Sequence, residues 1–223
     1  MTGTLADRLA AVWQRIEAAG GDRERVRLIA VTKGFGADVV REALALGLHD
    51  LGESYAQELA AKVAEVPHDG PVAPRWHFIG RIQTNKVRLV APYVTLWHGV
   101  DRRAAGAEIA KRSPGAAVLV QVNATGEATK AGCAPEELPR LLDELRSLGL
   151  YVRGLMTMAP AGEREVARRA FAKVREMADF HGLEEVSMGM SGDLDVAVEE
   201  GATMVRVGAA LFGPRPGPAG VRH

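Results

Sequence analysis

SMGMSGDLDVAVEEGATMVRVGAALFG, residues 187–213, is the stretch on which the fold class turns. Within and just before it, EEVSMGMS (184–191) reads as an apolar strand, DLDVAVEE (193–200) as a short helix and TMVRVGAA (203–210) as a second strand. A strand, a crossover helix and another strand form a βαβ unit, so the two strands lie parallel. The same alternation runs back to the start of the chain. VRLIAVTK (26–33), HDLGES (49–54), RWHFIGR (75–81), TLWHGV (95–100), AAVLVQVN (116–123) and VRGLMTM (152–158) bring the strand count to eight. Between them, segments such as ADVVREALALG and EREVARRAFAKVREMADFHG place apolar residues three and four apart. The expected fold is an α/β protein, a single (β/α)8 TIM barrel over residues 1–223, with a doubly wound open sheet as the alternative. Leu5, Leu9, Val12, Trp13 and Ile16 lie at helical spacing before the first strand and predict an additional N-terminal helix packed on the barrel. GPRPGPAGVRH at the other end is too rich in proline and glycine for a regular element and is expected to fray.

Composition narrows the function classes. With 47% hydrophobic residues, 223 residues can bury one sizeable core. Lysine plus arginine and aspartate plus glutamate stand at 28 each, so no overall field favours nucleic acid or an anionic membrane. No stretch is apolar for long enough to span a bilayer, and the first residues lack the pattern of a secretory signal, so a cytoplasmic protein is expected. Cys133 is the only cysteine and reads as an incidental loop thiol. His49 and His98 read as strand-edge residues without acidic partners at ligand spacing, so no metal is expected.

In a barrel, groups at the carboxyl ends of the strands face the active-site mouth. Lys33 closes the first run after apolar LIAV, where partial desolvation lowers an amine toward the nucleophilic range and suggests a Schiff base. The alternative is a lysine snorkelling to the rim. Ser191 supplies a hydroxyl before a short helix, and Gly208 and Ala209 offer backbone N–H groups at a turn where barrels commonly cradle phosphate. Arg206, two residues before Gly208, points inward by strand alternation. Facing a pyridine nitrogen, its guanidinium would keep that nitrogen unprotonated and weaken the ring as an electron sink. An ion pair with a glutamate such as Glu53 is the alternative role. His77 has no orientation that alternation can settle. Asn123 and Met158 end the fifth and sixth runs, at the rim.

LIAVTK, HDLGESYAQE, WHFIGRIQTNK, VQVNATGEATKAG, GLMTMAP and SMGMSGDLDVAVEEGATMVRVGAALFG, in this order and over nearly the whole chain, closely resemble the pyridoxal phosphate homeostasis protein family. That resemblance implies a fold type III barrel, alanine racemase N-terminal-domain-like, with pyridoxal 5'-phosphate (PLP) as cofactor. It implies intracellular PLP homeostasis without established turnover. By position it makes Lys33 the Schiff-base lysine, gives the phosphate to Ser191, Gly208 and Ala209, and faces Arg206 to the pyridine nitrogen. His77, Ile79 and Met158 would lie around the ring, and Ser54 beside it. Three departures from the family pattern stand out: Ser54 replaces an asparagine, Ala209 a threonine, and Gly192-Asp193 an aspartate pair. The racemases on this barrel add a β-domain that supplies a second acid–base group, and none follows here before residue 223. The expected role is therefore a PLP carrier, a monomer of one domain, with apo PLP-enzymes as its partners. The alternatives are a low-activity racemase or lyase, or a lysine-dependent sugar-phosphate aldolase.

Overall fold

A computed structural model describes residues 3–66, 70, 72–127 and 131–215. Eight strands alternate with helices and close into a barrel in sequence order. They are β1 (Arg27–Val31), β2 (Asp50–Glu53), β3 (Arg75–Phe78), β4 (Val94–Val100), β5 (Ala117–Gln121), β6 (Tyr151–Met156), β7 (Glu185–Ser187) and β8 (Met204–Val207). All pairings are parallel, and β8 returns to β1 with Arg27 opposite Met204 and Ala30 opposite Val207. The barrel is thus closed, and the open-sheet alternative falls.

The helices are α1 (Leu5–Ala18), α2 (Ala37–Ala45), α3 (Ala56–Glu65), α4 (Thr84–Val90), α5 (Arg103–Arg112), α6 (Leu138–Ser147), α7 (Arg164–Phe180), α8 (Leu194–Glu199) and α9 (Ala209–Phe212). The added helix α1 starts on a capping box in which the Thr4 hydroxyl accepts from the Asp7 N–H and the Asp7 carboxylate accepts from the Thr4 N–H. It buries Leu5, Val12, Trp13 and Ile16, the apolar stripe visible in the sequence. It also braces the barrel mouth, because Arg15 Nη1 donates to the Ser191 carbonyl at 2.8 Å and Arg8 Nε donates to the Leu211 carbonyl.

Two apolar cores result. One fills the space between strands and helices, and a smaller one of Ile29, Leu96, Leu119, Met156 and Met204 fills part of the barrel interior. Most regular strands are shorter than the sequence runs at their carboxyl ends. Lys33, Asn123 and Met158 each lie two residues past β1, β5 and β6 rather than on them. Residues 209 and 210, read as the end of a strand, begin helix α9. Cys133 is not an incidental loop thiol: it is buried, its backbone bonds to Gln121 and Asn123 extend β5, and burial pushes its thiol up to about 12. The expectation of fraying falls for 216–223 outside the described residues.

Candidate functional site

The alternation of β1 decides where Lys33 points. Thr32, fully buried, turns outward and donates its hydroxyl to Glu53 Oε1 at 2.7 Å. Lys62 of α3 donates to both Glu53 Oε1 and the Thr32 carbonyl, the latter at 2.8 Å. With Thr32 pinned outward, the next side chain is directed to the mouth. Gly34 then takes a left-handed φ of 80°, which turns the chain away directly behind the lysine, and its N–H donates to Glu58 Oε2. Lys33 is half-buried. Burial lowers its amine from the ordinary lysine value, and the cations Arg215 and Arg206 push in the same direction.

Lys33 lines a cavity of about 250 Å³ at the carboxyl-terminal mouth. Arg206, Ser191, Gly208, Ala209, Ile79, Met158 and Ser54 line it too. Arg206 is buried, and burial pulls it down to about 10, so it stays protonated at neutral pH. It spends one N–H on Ser187 Oγ at 2.7 Å and another on the Thr157 carbonyl at 2.9 Å, which leaves other donors of the guanidinium for the cavity. Among the described residues, no carboxylate forms a salt bridge or hydrogen bond with it. The sequence alternative, an ion pair with Glu53, is corrected here: Glu53 lies on the outer side of the barrel against Lys62. Ser191 Oγ accepts from the Ala210 N–H at 3.1 Å, so its own hydrogen is free to point at an anion. The Ala209 N–H heads helix α9 and has no acceptor earlier in that helix.

His77 is corrected as a ring contact. It is buried inside the barrel on the amino-terminal side of this cavity, bonded to Asp50 and His98, and lines no wall of it. His98 is likewise no edge residue but a fully enclosed member of β4. Asn123 turns its amide back on its own loop, donating to the Glu127 carbonyl and accepting from the Gly126 N–H.

Several lining residues escaped the sequence reading. Arg215 reaches the cavity from the carboxyl-terminal segment and lies against Gly34. A second space of about 360 Å³ adjoins the first at Lys33, Ser54, Ile79 and Met158, and extends to Tyr55, Arg81, Lys86 and Gln121. It depends on Gly80, where any Cβ would run into the Ser54 carbonyl. Among the described residues, no cluster of His, Cys, Asp and Glu is arranged for a metal ion, and no helix is long and apolar enough to cross a membrane.

Residues 6–216 match the family described as alanine racemase, N-terminal domain. A pyridoxal phosphate homeostasis protein of Pseudomonas aeruginosa is 46% identical over 95% of this chain and 96% of that protein. One from Deinococcus radiodurans is 43% identical over 92% and 97%. The chain belongs to the pyridoxal phosphate homeostasis protein family. Among solved structures, PipY of Synechococcus elongatus PCC7942 with PLP bound superposes with a TM-score of 0.80 at 34% identity, covering 94% of this chain and 100% of that one. A lysine decarboxylase mutant in complex with PLP shares the fold at a TM-score of 0.69 and 19% identity, and 62% of its chain is covered.

Proposed function

We propose that this member of the pyridoxal phosphate homeostasis family holds PLP on Lys33, and serves as a carrier rather than an amino-acid enzyme. The observation that carries the reading is the joint enclosure of Lys33 and Arg206 in one cavity beside Ser191 and the Gly208–Ala209 turn. The residues fit the group on their own chemistry: a depressed amine, an enclosed guanidinium with spare donors and no carboxylate in contact, and free hydroxyl and N–H donors grouped on one side. PLP, when bound, supplies an aldehyde for an amine and an electron-withdrawing pyridine ring. Lys33 would be the amine that condenses with the aldehyde carbon, the carbonyl oxygen leaving as water. Ser191 and the Gly208 and Ala209 N–H groups receive the phosphate, while Ile79, Met158 and Ser54 border the ring. Arg206 donates to the ring nitrogen and, being a cation, keeps that nitrogen unprotonated. A ring held so is a poor electron sink, which disfavours carbanion chemistry and favours storage.

The near-complete match to proteins named for homeostasis supports the carrier over the enzyme. Delivery to apo PLP-enzymes by a cytosolic monomer is part of the proposal. The test is the near-visible spectrum of the purified protein, then borohydride reduction and peptide mass spectrometry. A pyridoxyl adduct on Lys33, lost in Lys33→Ala, is the expected result. No chromophore and no adduct after incubation with PLP overturns it. The second space beside Lys33 has room for an amino acid, so a low-activity racemase or lyase is the second reading. Racemisation that vanishes in Lys33→Ala would establish that one instead.

A further inference from the structure

The interior of a (β/α)8 barrel is ordinarily filled by bulky aliphatic side chains. Here a line of polar groups crosses it from one mouth to the other. Arg206 Nη1 bonds Ser187 Oγ at 2.7 Å, and His98 Nδ1 lies 2.9 Å from the same oxygen. His98 Nε2 lies 2.9 Å from His77 Nδ1, and His77 Nε2 lies 2.9 Å from Asp50 Oδ1. Asp50 is held at the amino-terminal mouth by Arg75, whose Nε and Nη2 reach its two oxygens at 2.9 and 2.5 Å. His77, His98, Ser187 and Arg206 are all buried.

Chemistry assigns every proton in this line, and the assignment reached from each end agrees. A guanidinium only donates, so Ser187 Oγ accepts from Arg206 and spends its single hydrogen on His98 Nδ1. His98 then carries its proton on Nε2 and donates to His77 Nδ1. His77 in turn carries its proton on Nε2 and donates to Asp50. From the other end, Arg75 and His77 hold the Asp50 carboxyl well below the ordinary aspartate value despite burial, so it only accepts. Burial lowers both imidazoles, with His77 and the cations Arg206 and Arg27 adding to the effect on His98, which suits two neutral rings.

We propose that Asp50 is a positioning residue for Arg206: as an acceptor-only terminus it locks both histidine tautomers, which turns the Ser187 lone pair toward the guanidinium and fixes its plane. An amide at position 50 can turn its NH2 toward His77 Nε2, which the carboxylate never does. Only the Arg206 end then opposes the reversed line, in which the Ser187 hydrogen is aimed at a guanidinium that cannot accept it. The role assigned to Arg206 rests on the PLP reading above, whereas the tautomers do not.

The experiment uses the full-length protein without ligand first. Nitrogen-15 NMR is expected to show Nε2–H tautomers at His77 and His98, and a slowly exchanging Arg206 guanidinium. Asp50→Asn should mix the tautomers and speed that exchange, while Glu185→Gln should change neither. Glu185 is the control because it sits at the same mouth, paired to Arg153 and Arg27, but off the line. If Asp50→Asn fails to fold, Ser187→Ala keeps the Asp50–Arg75 pair and must produce the same change at Arg206. With PLP added, both variants should move the absorption maximum of the bound cofactor and speed its release by about 3- to 10-fold, the scale of a lost link in a buried network. An Nδ1–H tautomer at either histidine in the native protein, or an unaltered Arg206 signal in folded Asp50→Asn or, should that variant not fold, in Ser187→Ala, overturns the proposal. A native protein that binds no PLP overturns the cofactor reading, while the ligand-free spectra still decide this one.

Discussion

Removing the Lys62 ammonium exposes how the barrel secures its lysine. Lys62 and Glu53 form an ion pair with side-chain exposures of 5% and 0%, and Glu53 also receives the Thr32 hydroxyl. Lys62→Met strands a carboxylate that has no route to water, and breaking a buried pair from one side costs about 3–5 kcal/mol. For a domain of this length each kcal/mol lowers the melting temperature by roughly 2–4 °C, so a loss of about 6–20 °C is expected. Burial raises the Glu53 carboxyl above the ordinary glutamate value, and the Lys62 charge opposes that. Without Lys62 the folded-state value rises further, so the penalty is full at high pH and shrinks as pH falls and the folded protein takes up the proton. The deficit against native protein should therefore be smaller at pH 5.5 than at pH 7.5. Glu53→Gln in the Lys62→Met background removes the stranded charge, keeps an acceptor for Thr32 and should recover most of the loss. Scanning calorimetry at both pH values is the assay. A single variant melting within about 2 °C of native, or a deficit that is the same at both pH values, would refute the buried-pair account.

Other perturbations address the mouth directly. Arg215→Gln removes a cation that lowers the Lys33 amine, so the pH midpoint for covalent capture of PLP should move upward; an unmoved midpoint in stopped-flow absorbance removes Arg215 from the site. Ala209→Thr adds a hydroxyl at the turn proposed to hold the phosphate and should slow PLP release by about 3- to 10-fold, the worth of one added hydrogen bond, measured by transfer to an excess apo-enzyme. Equal rates would show that the turn is complete without it. Gly80→Ala drives a methyl into the Ser54 backbone, which cannot swing aside, and should cost about 1–3 kcal/mol by denaturant unfolding. Unchanged stability there would mean that the loop after β3 relocates freely.

The architecture was legible because each of the eight strands is a short apolar run punctuated by helical spacing, a pattern that local physics writes into neighbouring residues. Strand ends were not. Lys33 and Met158 continue their runs in composition, yet the regular ladder ends at Val31 and Met156, and Asn123 follows β5 with its N–H bonded to the Cys133 carbonyl of the next loop rather than to a neighbouring strand. Glu53 shows the same limit from another side. Its sequence neighbourhood allowed an inward pair with Arg206, whereas its partner Lys62 arrives from the following helix.

Position in the chain was enough to single out Lys33, Ser191, Arg206, Gly208 and Ala209, since strand alternation and glycine-bearing turns are local properties. Contacts between residues far apart in sequence were beyond that reach. Arg215 joins the cavity from a segment whose composition suggested only fraying, and His77 leaves it for a partner 27 residues away in Asp50. The line from Asp50 through His77, His98 and Ser187 to Arg206 draws on β2, β3, β4, β7 and β8, and it exists only when the barrel closes. Alternation says which way a side chain points, but closure decides what it meets there, because the meeting point is set by strand register and stagger around the whole ring.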